Sequence, residues 1–280
     1  MAPTTRRKTP GTTGPVPALP NQPDAGPLLA AVDVVYAPGG QPVLRGISLT
    51  LHPGEVTVII GPNGAGKSTL LSVLTGDAVP DSGTVELDGR PLRSWKTGDA
   101  ARRRAVMAQD TSVAFPFPVQ EVVQMGRNPW RKTPREHEDG VVVNQAMDIT
   151  GIRELAGRSV TLLSGGERQR TALSRVLAQQ GSVLLLDEPV SAMDIRHQEQ
   201  TLKTCRRLAA EGAAVAVVLH DLDAAAAYAD RLVLLQDGRI RAAGSVADIC
   251  KAEILSDVYG TPLEVFRLGE SGRLRVAPVR

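Results

Sequence analysis

The amino-acid sequence predicts an α/β fold with a parallel sheet, an N-terminal antiparallel β-layer and an inserted helical subdomain. Three short apolar runs, residues 182–186, 215–219 and 231–235, are separated by helical patterns, as in parallel β-α-β units. A further apolar run, residues 55–60, precedes a glycine-rich loop and then apolar residues at helical spacing. Between about residues 98 and 177 strand patterns fade and helical patterns dominate.

Strands, a helix end and a hairpin turn are also predicted outside these runs. Residues 28–36 and 43–51 have the apolar and alternating patterns of two strands, which we expect to form the β-layer. The helix after the glycine-rich loop should end at Gly76 in a left-handed cap. Asp237-Gly238 predicts a hairpin turn into residues 239–243. The expected organisation is a disordered Pro-rich tail (1–27), one domain (28–261) with the helical subdomain (98–177) inserted, and a C-terminal extension (262–280).

Composition and charge exclude several classes of function. The chain has 280 residues and a net charge of +2 from 32 basic and 30 acidic residues. This balance and an aromatic content of 3% argue against nucleic-acid binding. No apolar run reaches the roughly 18 residues of a membrane span, and the tail has no signal-peptide core. The cysteines, Cys205 and Cys250, are far apart, as suits free thiols in a reducing compartment. We therefore expect a cytoplasmic protein.

A phosphate-binding loop follows the first buried strand. Residues 61–68 fit the pattern G-x-x-x-x-G-K-[ST], and a strand precedes them and a helix follows. Glycines let backbone N–H groups surround phosphate oxygens, Lys67 can reach the β- and γ-phosphates of ATP, and Ser68 can offer a hydroxyl to Mg²⁺. The predicted nucleotide-binding residues of this loop are Gly61, Pro62, Asn63, Gly64, Ala65, Gly66, Lys67, Ser68 and Thr69.

Polar side chains also follow two later strands. Asp187 and Glu188 end the apolar run 183–186, and His220 ends the run 215–219. Ligands bind at the carboxyl ends of parallel strands. We expect Asp187 to hold Mg²⁺, Glu188 to act as the catalytic base towards water, and His220 to sense the γ-phosphate. An isolated acidic strand end or histidine is often only structural, but the phosphate loop favours the catalytic interpretation.

Residues 163–169, Leu-Ser-Gly-Gly-Glu-Arg-Gln, resemble the signature sequence of the ABC ATPases. The resemblance extends from about residue 28 to residue 261, with Met193 in place of the family's usual leucine. It implies a P-loop nucleoside-triphosphatase core, ATPase activity coupled to transport, and a second phosphate site that faces the nucleotide of a partner subunit. The site residues that it adds are Ser164, Gly165, Gly166 and Glu167 at the second phosphate site, Tyr36 against adenine, Gln109 at Mg²⁺ and in catalysis, and Asp194 in the loop after the acidic pair.

The stretch from Gln109 to Trp130 narrows the resemblance within this family. Residues 114–119, Ala-Phe-Pro-Phe-Pro-Val, and residues 125–129, Met-Gly-Arg-Asn-Pro, are similar to ATPases of iron-siderophore, vitamin B12 and haem importers, most closely the haem importers. Pro118 and Trp130 depart from the threonine and histidine usual there. Two phenylalanines in a Pro-bounded loop favour a docking surface over core.

This narrower resemblance implies a set of partners. They are a second ATPase subunit, expected to be an identical chain bound head-to-tail, two transmembrane permease subunits and an extracytoplasmic haem-binding protein. The chain would then lie at the cytoplasmic face of the cell membrane as a peripheral subunit. Haem itself is not expected to touch the chain, and the sequence contains no C-x-x-C-H motif.

Other functions remain open at this stage. The same subunit could serve ferric-siderophore or cobalamin import. A soluble, non-transport ABC ATPase usually contains a long coiled-coil insertion or two tandem ATPase domains, and the sequence has neither. An inactive nucleotide-dependent scaffold conflicts with the presence of Lys67, Asp187, Glu188 and His220 together.

Overall fold

The computed structural model describes residues 26–110, 115–269 and 272–280. The predicted tail, residues 1–27, lies outside these ranges except for Gly26 and Pro27. Ala114 of the predicted docking loop also lies outside them.

The described residues form both strands and helices. The strands are β1 (Leu29–Tyr36), β2 (Leu44–Leu51), β3 (Val56–Ile60), β4 (Ser82–Leu87), β5 (Arg90–Pro91), β6 (Arg104–Met107), β7 (Val183–Asp187), β8 (Ala214–Val218), β9 (Arg231–Gln236), β10 (Arg239–Gly244), β11 (Leu263–Leu268) and β12 (Arg273–Pro278). The α-helices are α1 (Lys67–Thr75), α2 (Thr97–Arg103), α3 (Val119–Gln124), α4 (Asp139–Ile149), α5 (Gly165–Gln179), α6 (Ile195–Ala210), α7 (Leu222–Tyr228), α8 (Val246–Ile249) and α9 (Ala252–Tyr259). Short 3-10 helices occupy Pro38–Gly40, Leu92–Ser94, Met125–Trp130, Pro134–Glu138, Arg153–Leu155 and Val160–Leu162.

The central sheet has the strand order β10-β9-β3-β8-β7-β6. Strands β9, β3, β8, β7 and β6 are parallel, and β10 returns antiparallel to β9. Every residue of β3, β7 and β8 is buried, as expected for strands covered on both faces. The predicted parallel α/β core and the Asp237-Gly238 hairpin turn are both confirmed.

The core lies on both faces of this sheet. Successive side chains of a strand point to opposite faces. Val58 and Ile60 therefore join one cluster with Leu173 of α5, and Ile59 joins the other with Leu70 of α1. The sheet is thus enclosed between the helical layer on one side and α1 with the β-layer on the other.

The β-layer is antiparallel and has the strand order β2-β1-β4-β5. Its first two strands are the predicted ones, and they pair with a register shift around Asp33. Strands β4 and β5 were not predicted from the sequence. The helix α1 ends as predicted, with Gly76 as a left-handed C-cap at φ 75°.

The stretch predicted to be helical differs from the structure at one place. Residues 98–177 contain α3, α4 and most of α2 and α5, but also β6, which pairs parallel to β7 at the edge of the central sheet. This strand has only four residues, of which Ala105 and Met107 are buried. An alternation this short cannot be distinguished by sequence from the end of α2.

The predicted C-terminal extension contains a hairpin of β11 and β12. Asp223 of α7 accepts a hydrogen bond from the Val276 backbone N–H at 2.9 Å and pairs with Arg275 at 2.5 Å. The hairpin is therefore attached to the helix that follows His220.

The side chain of Arg127 connects several segments of the helical subdomain through hydrogen bonds. It is fully buried and donates to Asp139 Oδ1 at 2.7 Å, to the Ala178 carbonyl at 3.0 Å and to Gln180 Oε1 at 2.7 Å. Trp130 packs against it, 5.2 Å from the guanidinium carbon to the ring centroid. These bonds fix the Met125–Trp130 turn to the end of α5.

Glycine is required beside Arg127. A Cβ at Gly126 would lie 2.2 Å from the carbonyl oxygen of Arg175, so only glycine allows this approach of the turn to α5. Within the described ranges, none of the helices combines the length and the apolarity needed to cross a membrane.

Arg127→Met should lower the free energy of unfolding by about 3–5 kcal/mol, because it removes a fully buried charge and leaves the carboxylate of Asp139, 14% exposed, without its counter-ion. Urea denaturation followed by tryptophan fluorescence measures this. The matched control is Arg153→Met, since Arg153 forms an exposed pair with Asp148 and its loss should cost at most about 1 kcal/mol. Equal losses in the two variants would contradict the role given to Arg127.

Candidate active site

The predicted phosphate loop, residues 61–68, connects β3 to α1. Gly64 and Gly66 have φ of 80° and 99°, a conformation that glycine adopts without strain. At Gly61 a Cβ would approach the Leu235 carbonyl oxygen to 2.2 Å. The loop leads directly into the N-terminus of α1, whose first N–H groups have no intrahelical acceptor and favour anions.

Lys67 is the first residue of α1 and is buried at the base of the loop. Its Nζ donates to the carbonyl oxygens of Gly61 at 2.7 Å and Pro62 at 2.9 Å. Burial lowers the pKa of the Lys67 ammonium, and the charges of Glu188 and Asp187 oppose that shift. The ammonium is thus held by two carbonyl groups of the loop, and the charges of the two carboxylates favour its protonated form.

Asp187 ends β7 and is 6% exposed. Burial raises the pKa of its carboxyl group, and the charge of Glu188 adds to this, whereas a hydrogen bond from Ser68 and the charges of Lys67 and His220 oppose it. Its Oδ1 atom has no hydrogen-bond partner among the described residues. A buried carboxylate oxygen without a partner, next to a serine hydroxyl, suits a hard divalent cation.

Glu188 and His220 contact each other beyond the carboxyl ends of β7 and β8. The His220 Nε2 lies within hydrogen-bond distance of Glu188 Oε1. The Glu188 side chain is 14% exposed and that of His220 is 46% exposed. Glu188 also has a left-handed backbone, with φ 49°, which is uncommon for a residue with a side chain. A local strain of this kind is frequent at functional sites.

The predicted residues of the loop and the strand ends share one cavity of about 680 Å³. Its lining comprises Val43, Asn63, Gly64, Gly66, Lys67, Ser68, Thr69, Gln109, Glu188 and His220. Gly61, Pro62, Ala65 and Asp187 are not part of this lining. Val43 is a lining residue that the sequence analysis did not identify, because an apolar residue before a strand carries no chemical signal.

Tyr36 does not line this cavity. It is half-buried at the end of β1 and packs against the core. Its carbonyl oxygen accepts a hydrogen bond from the Val43 N–H at 2.8 Å. Tyr36 is therefore connected to the cavity through Val43.

The residues of the predicted second phosphate site lie outside this cavity. Ser164 is the exposed N-cap of α5, and it forms a capping box with Glu167. The backbone hydrogen bond from Ser164 lowers the pKa of the Glu167 carboxyl group. Asp194 is the exposed N-cap of α6. Ser164, Gly165, Gly166, Glu167 and Asp194 do not line the cavity that contains Lys67.

A second cavity of about 660 Å³ lies between the β-layer and the helical subdomain. We call it the subdomain groove. Val79, Trp95 and Met125 contribute apolar walls, and Arg104 and Arg175 contribute cationic groups. Val79 is 77% exposed. Arg104 Nε and Nη1 have no hydrogen-bond partner among the described residues.

The two phenylalanines of the predicted docking loop have different environments. Phe115 is 67% exposed, whereas Phe117 is partly buried and packs against the core. Their rings are in an edge-on arrangement with centroids 6.2 Å apart. Only Phe115 therefore presents a large apolar surface outward.

Chemically, the first cavity combines an anion-binding loop, a buried cation and a carboxylate that contacts a histidine. The Asp187 carboxylate, with its unpartnered oxygen, lies next to the lining residue Ser68. This combination suits the transfer of a phosphoryl group to water.

Comparison with known proteins gives a consistent result. Residues 44–191 match the family model described as ABC transporter. A curated relative, the hemin import ATP-binding protein HmuV of Rhodococcus jostii, is 48% identical over 268 residues, which are 96% of this chain and 91% of the relative. The protein of that name in Streptomyces coelicolor is 49% identical over 267 residues, 95% of each chain. A solved structure of the ATP binding subunit of an ABC transporter has a TM-score of 0.75 at 22% identity and covers 83% of this chain and 98% of that chain, so it shows the fold alone.

Asp187→Asn should stabilise the protein at pH 7 when nucleotide and divalent metal are absent. A carboxyl group with a raised folded-state pKa disfavours folding wherever it must be ionised, so removing the charge should raise the free energy of unfolding by about 1 kcal/mol or more. The gain should disappear as the pH falls, since Asp187 is then protonated in both states. Urea denaturation across pH measures this.

Asp148→Asn is the matched control for this substitution. A hydrogen bond from Arg153 lowers the pKa of exposed Asp148, so its charge favours folding and its removal should not stabilise. A loss of stability at pH 7 in Asp187→Asn would contradict the unfavourable burial of charge assigned to Asp187.

Proposed function

The chain belongs to the ABC transporter family, and on that basis we propose that it is the ATP-binding and ATP-hydrolysing subunit of an importer that energises haem uptake through a separate permease. The observation that carries the ATPase proposal is the convergence of the phosphate loop, Glu188 and His220 on one cavity, with the carboxylate of Asp187 beside Ser68.

The proposed reaction is attack of water on the γ-phosphate of ATP. Lys67 and the loop N–H groups hold the phosphates, and most of the rate should come from this positioning. Glu188 accepts a proton from the attacking water at its carboxylate. His220 contacts that carboxylate and orients it. We propose that Ser68, Gln109 and Asp187 hold Mg²⁺, which supplies charge neutralisation at the phosphate oxygens when it is bound.

Two chains are needed to complete the proposed site. A second anion-binding helix, α5, opens at Ser164 outside the cavity with Lys67. One chain has no use for two γ-phosphate sites on a single nucleotide, so the residues Ser164–Glu167 should meet the nucleotide of a partner chain. This supports a head-to-tail pair of ATPase subunits with a nucleotide at each interface.

The subdomain groove and Phe115 support a membrane partner. An exposed phenylalanine and a groove with apolar walls are each typical of interaction surfaces. Arg104 and Arg175 line the groove, and their positive charges would favour an acidic group of that partner. We propose that a pair of transmembrane permease subunits docks here, which makes the chain a peripheral subunit at the cytoplasmic face of the membrane.

Haem is the cargo that the relatives favour. The Rhodococcus and Streptomyces relatives are named for hemin import and match nearly the whole chain. The Phe-Pro-Phe and Gly-Arg-x-Pro stretches agree with this group. We propose that an extracytoplasmic haem-binding protein delivers haem to the permease. Ferric-siderophore or cobalamin import by the same machinery is the alternative, whereas a soluble non-transport ATPase would not need the subdomain groove.

Glu188→Gln should lower the rate of ATP hydrolysis at least about a hundredfold, because the amide cannot accept the proton of water. ATP affinity and nucleotide-induced dimerisation should be retained, since the phosphate loop is unchanged. Steady-state phosphate release, ATP binding and light scattering measure the three properties.

Glu154→Gln is the control, because Glu154 is an exposed carboxylate on the helical subdomain. It should hydrolyse ATP at the normal rate. Full turnover in Glu188→Gln would refute the base assignment, and no turnover in the unsubstituted chain would refute the ATPase itself.

Vesicles containing the chain and its proposed permease should accumulate haem in an ATP-dependent manner. Cobalamin and a ferric siderophore, offered separately at equal concentrations, should accumulate at less than about a tenth of the haem rate. Scintillation counting of labelled cargo measures uptake, and Lys67→Ala serves as the energy-deficient control. Preferential uptake of another cargo would assign the machinery to that alternative.

A further inference from the structure

Gln169 of α5 connects the signature helix to the loop that follows β7. Its side chain is buried, with 6% exposure for the residue. Nε2 donates to the Glu188 carbonyl oxygen at 3.1 Å and to Ser191 Oγ at 2.7 Å, and Oε1 accepts from the Ala192 N–H at 2.9 Å. Both polar atoms of the amide are thus bonded to one loop, residues 188–192.

These bonds act on the backbone of the proposed base. Glu188 has the left-handed φ of 49°, and its carbonyl oxygen accepts from Gln169 Nε2, from Ser191 Oγ at 3.2 Å and from the Ser191 N–H at 3.3 Å. An uncommon backbone conformation persists only where its surroundings enforce it. Gln169 is the donor among these three that comes from outside the loop.

The same loop meets the beginning of α5. A Cβ at Gly166 would lie 3.0 Å from the Ala192 carbonyl oxygen, and one at Gly165 would lie 3.3 Å from the Ala192 Cβ. The two glycines of the second phosphate site therefore pack on the loop that Gln169 holds. A shift of α5 at its N-terminus would move this loop through both contacts.

We propose that Gln169 is a positioning residue that couples the occupancy of the second phosphate site to the orientation of Glu188 in the same chain. The proposal rests on the proposed function, because the second site belongs to the partner's nucleotide. When α5 takes up that nucleotide, Gln169 holds the Glu188 backbone in its hydrolytic conformation. Each chain then hydrolyses its own ATP efficiently only when its partner is also loaded.

Two substitutions of Gln169 test this. Gln169→Met keeps the length but removes every polar contact, and Gln169→Glu keeps the shape but replaces both N–H donors by an acceptor. In both, kcat for ATP should fall by about tenfold or more. KM for ATP should change less than about twofold, because no phosphate contact is altered. The Hill coefficient for ATP should fall towards 1.

Gln198→Met is the matched control. Gln198 also holds this loop, by donating to the carbonyl oxygens of Val190 at 3.2 Å and Met193 at 3.0 Å, but no bond from it to Glu188 is formed. A purely structural role of the loop bonds would make this variant behave like Gln169→Met. The coupling role requires it to retain kcat and the Hill coefficient.

Each outcome decides the proposal. Unchanged kcat in both Gln169 variants, or a rise in KM with kcat unchanged, would overturn it. If Gln169→Met fails to fold, as judged by circular dichroism, the isosteric Gln169→Glu carries the test. Absence of ATPase activity in the unsubstituted chain would instead refute the proposed function, so the two failures are distinguishable.

Discussion

The register of three parallel strands is the constraint on which the active site depends. Val218 of β8 pairs with Ile59 of β3 on one side and with Asp187 of β7 on the other. These three residues therefore form one row across the sheet. The residues that follow the row within two positions are Gly61, Glu188 and His220, and they must emerge at the same edge. A loop, a carboxylate and a histidine that are distant in sequence become neighbours because their strands share a register.

Burial of these strands stabilises their register, but it also makes charged groups at the site unfavourable, because they lose water. Asp187 ends a fully buried strand, so its carboxylate loses water, and its raised pKa reflects that loss. Burial also lowers the pKa of the Lys67 ammonium. Each group partly compensates the other, and Ser68 adds a hydrogen bond to Asp187. The binding of phosphates and a cation should therefore stabilise the site. The phosphates supply negative charge near Lys67, and the cation supplies positive charge near Asp187.

The sequence predicts those parts of the structure whose signals lie in adjacent residues. The strand before Gly61, the acidic pair after β7 and the cap at Gly76 each carry a signal in adjacent residues. The strand β6 carries none, because Ala105 and Met107 are two apolar positions beside an arginine-rich helix. Gln169 was visible within the signature, yet its role depends on Glu188 and Ser191 about twenty residues away, and only the folded chain brings them together. Val43 was not predicted because an apolar residue before a strand has no feature that marks it as part of a cavity lining.

The motif that suggested the importer group has a structural explanation of its own. Gly126 allows contact with the Arg175 carbonyl, and Arg127 is fully buried between Asp139 and the end of α5. Side chains in such positions cannot touch a membrane partner. Gly126 and Arg127 therefore preserve the shape of the helical subdomain, and through it the shape of the groove that Met125, Asn128 and Pro129 line. In the proposed complex with the permease, discrimination between permeases would therefore fall to exposed residues such as Phe115 and Val79.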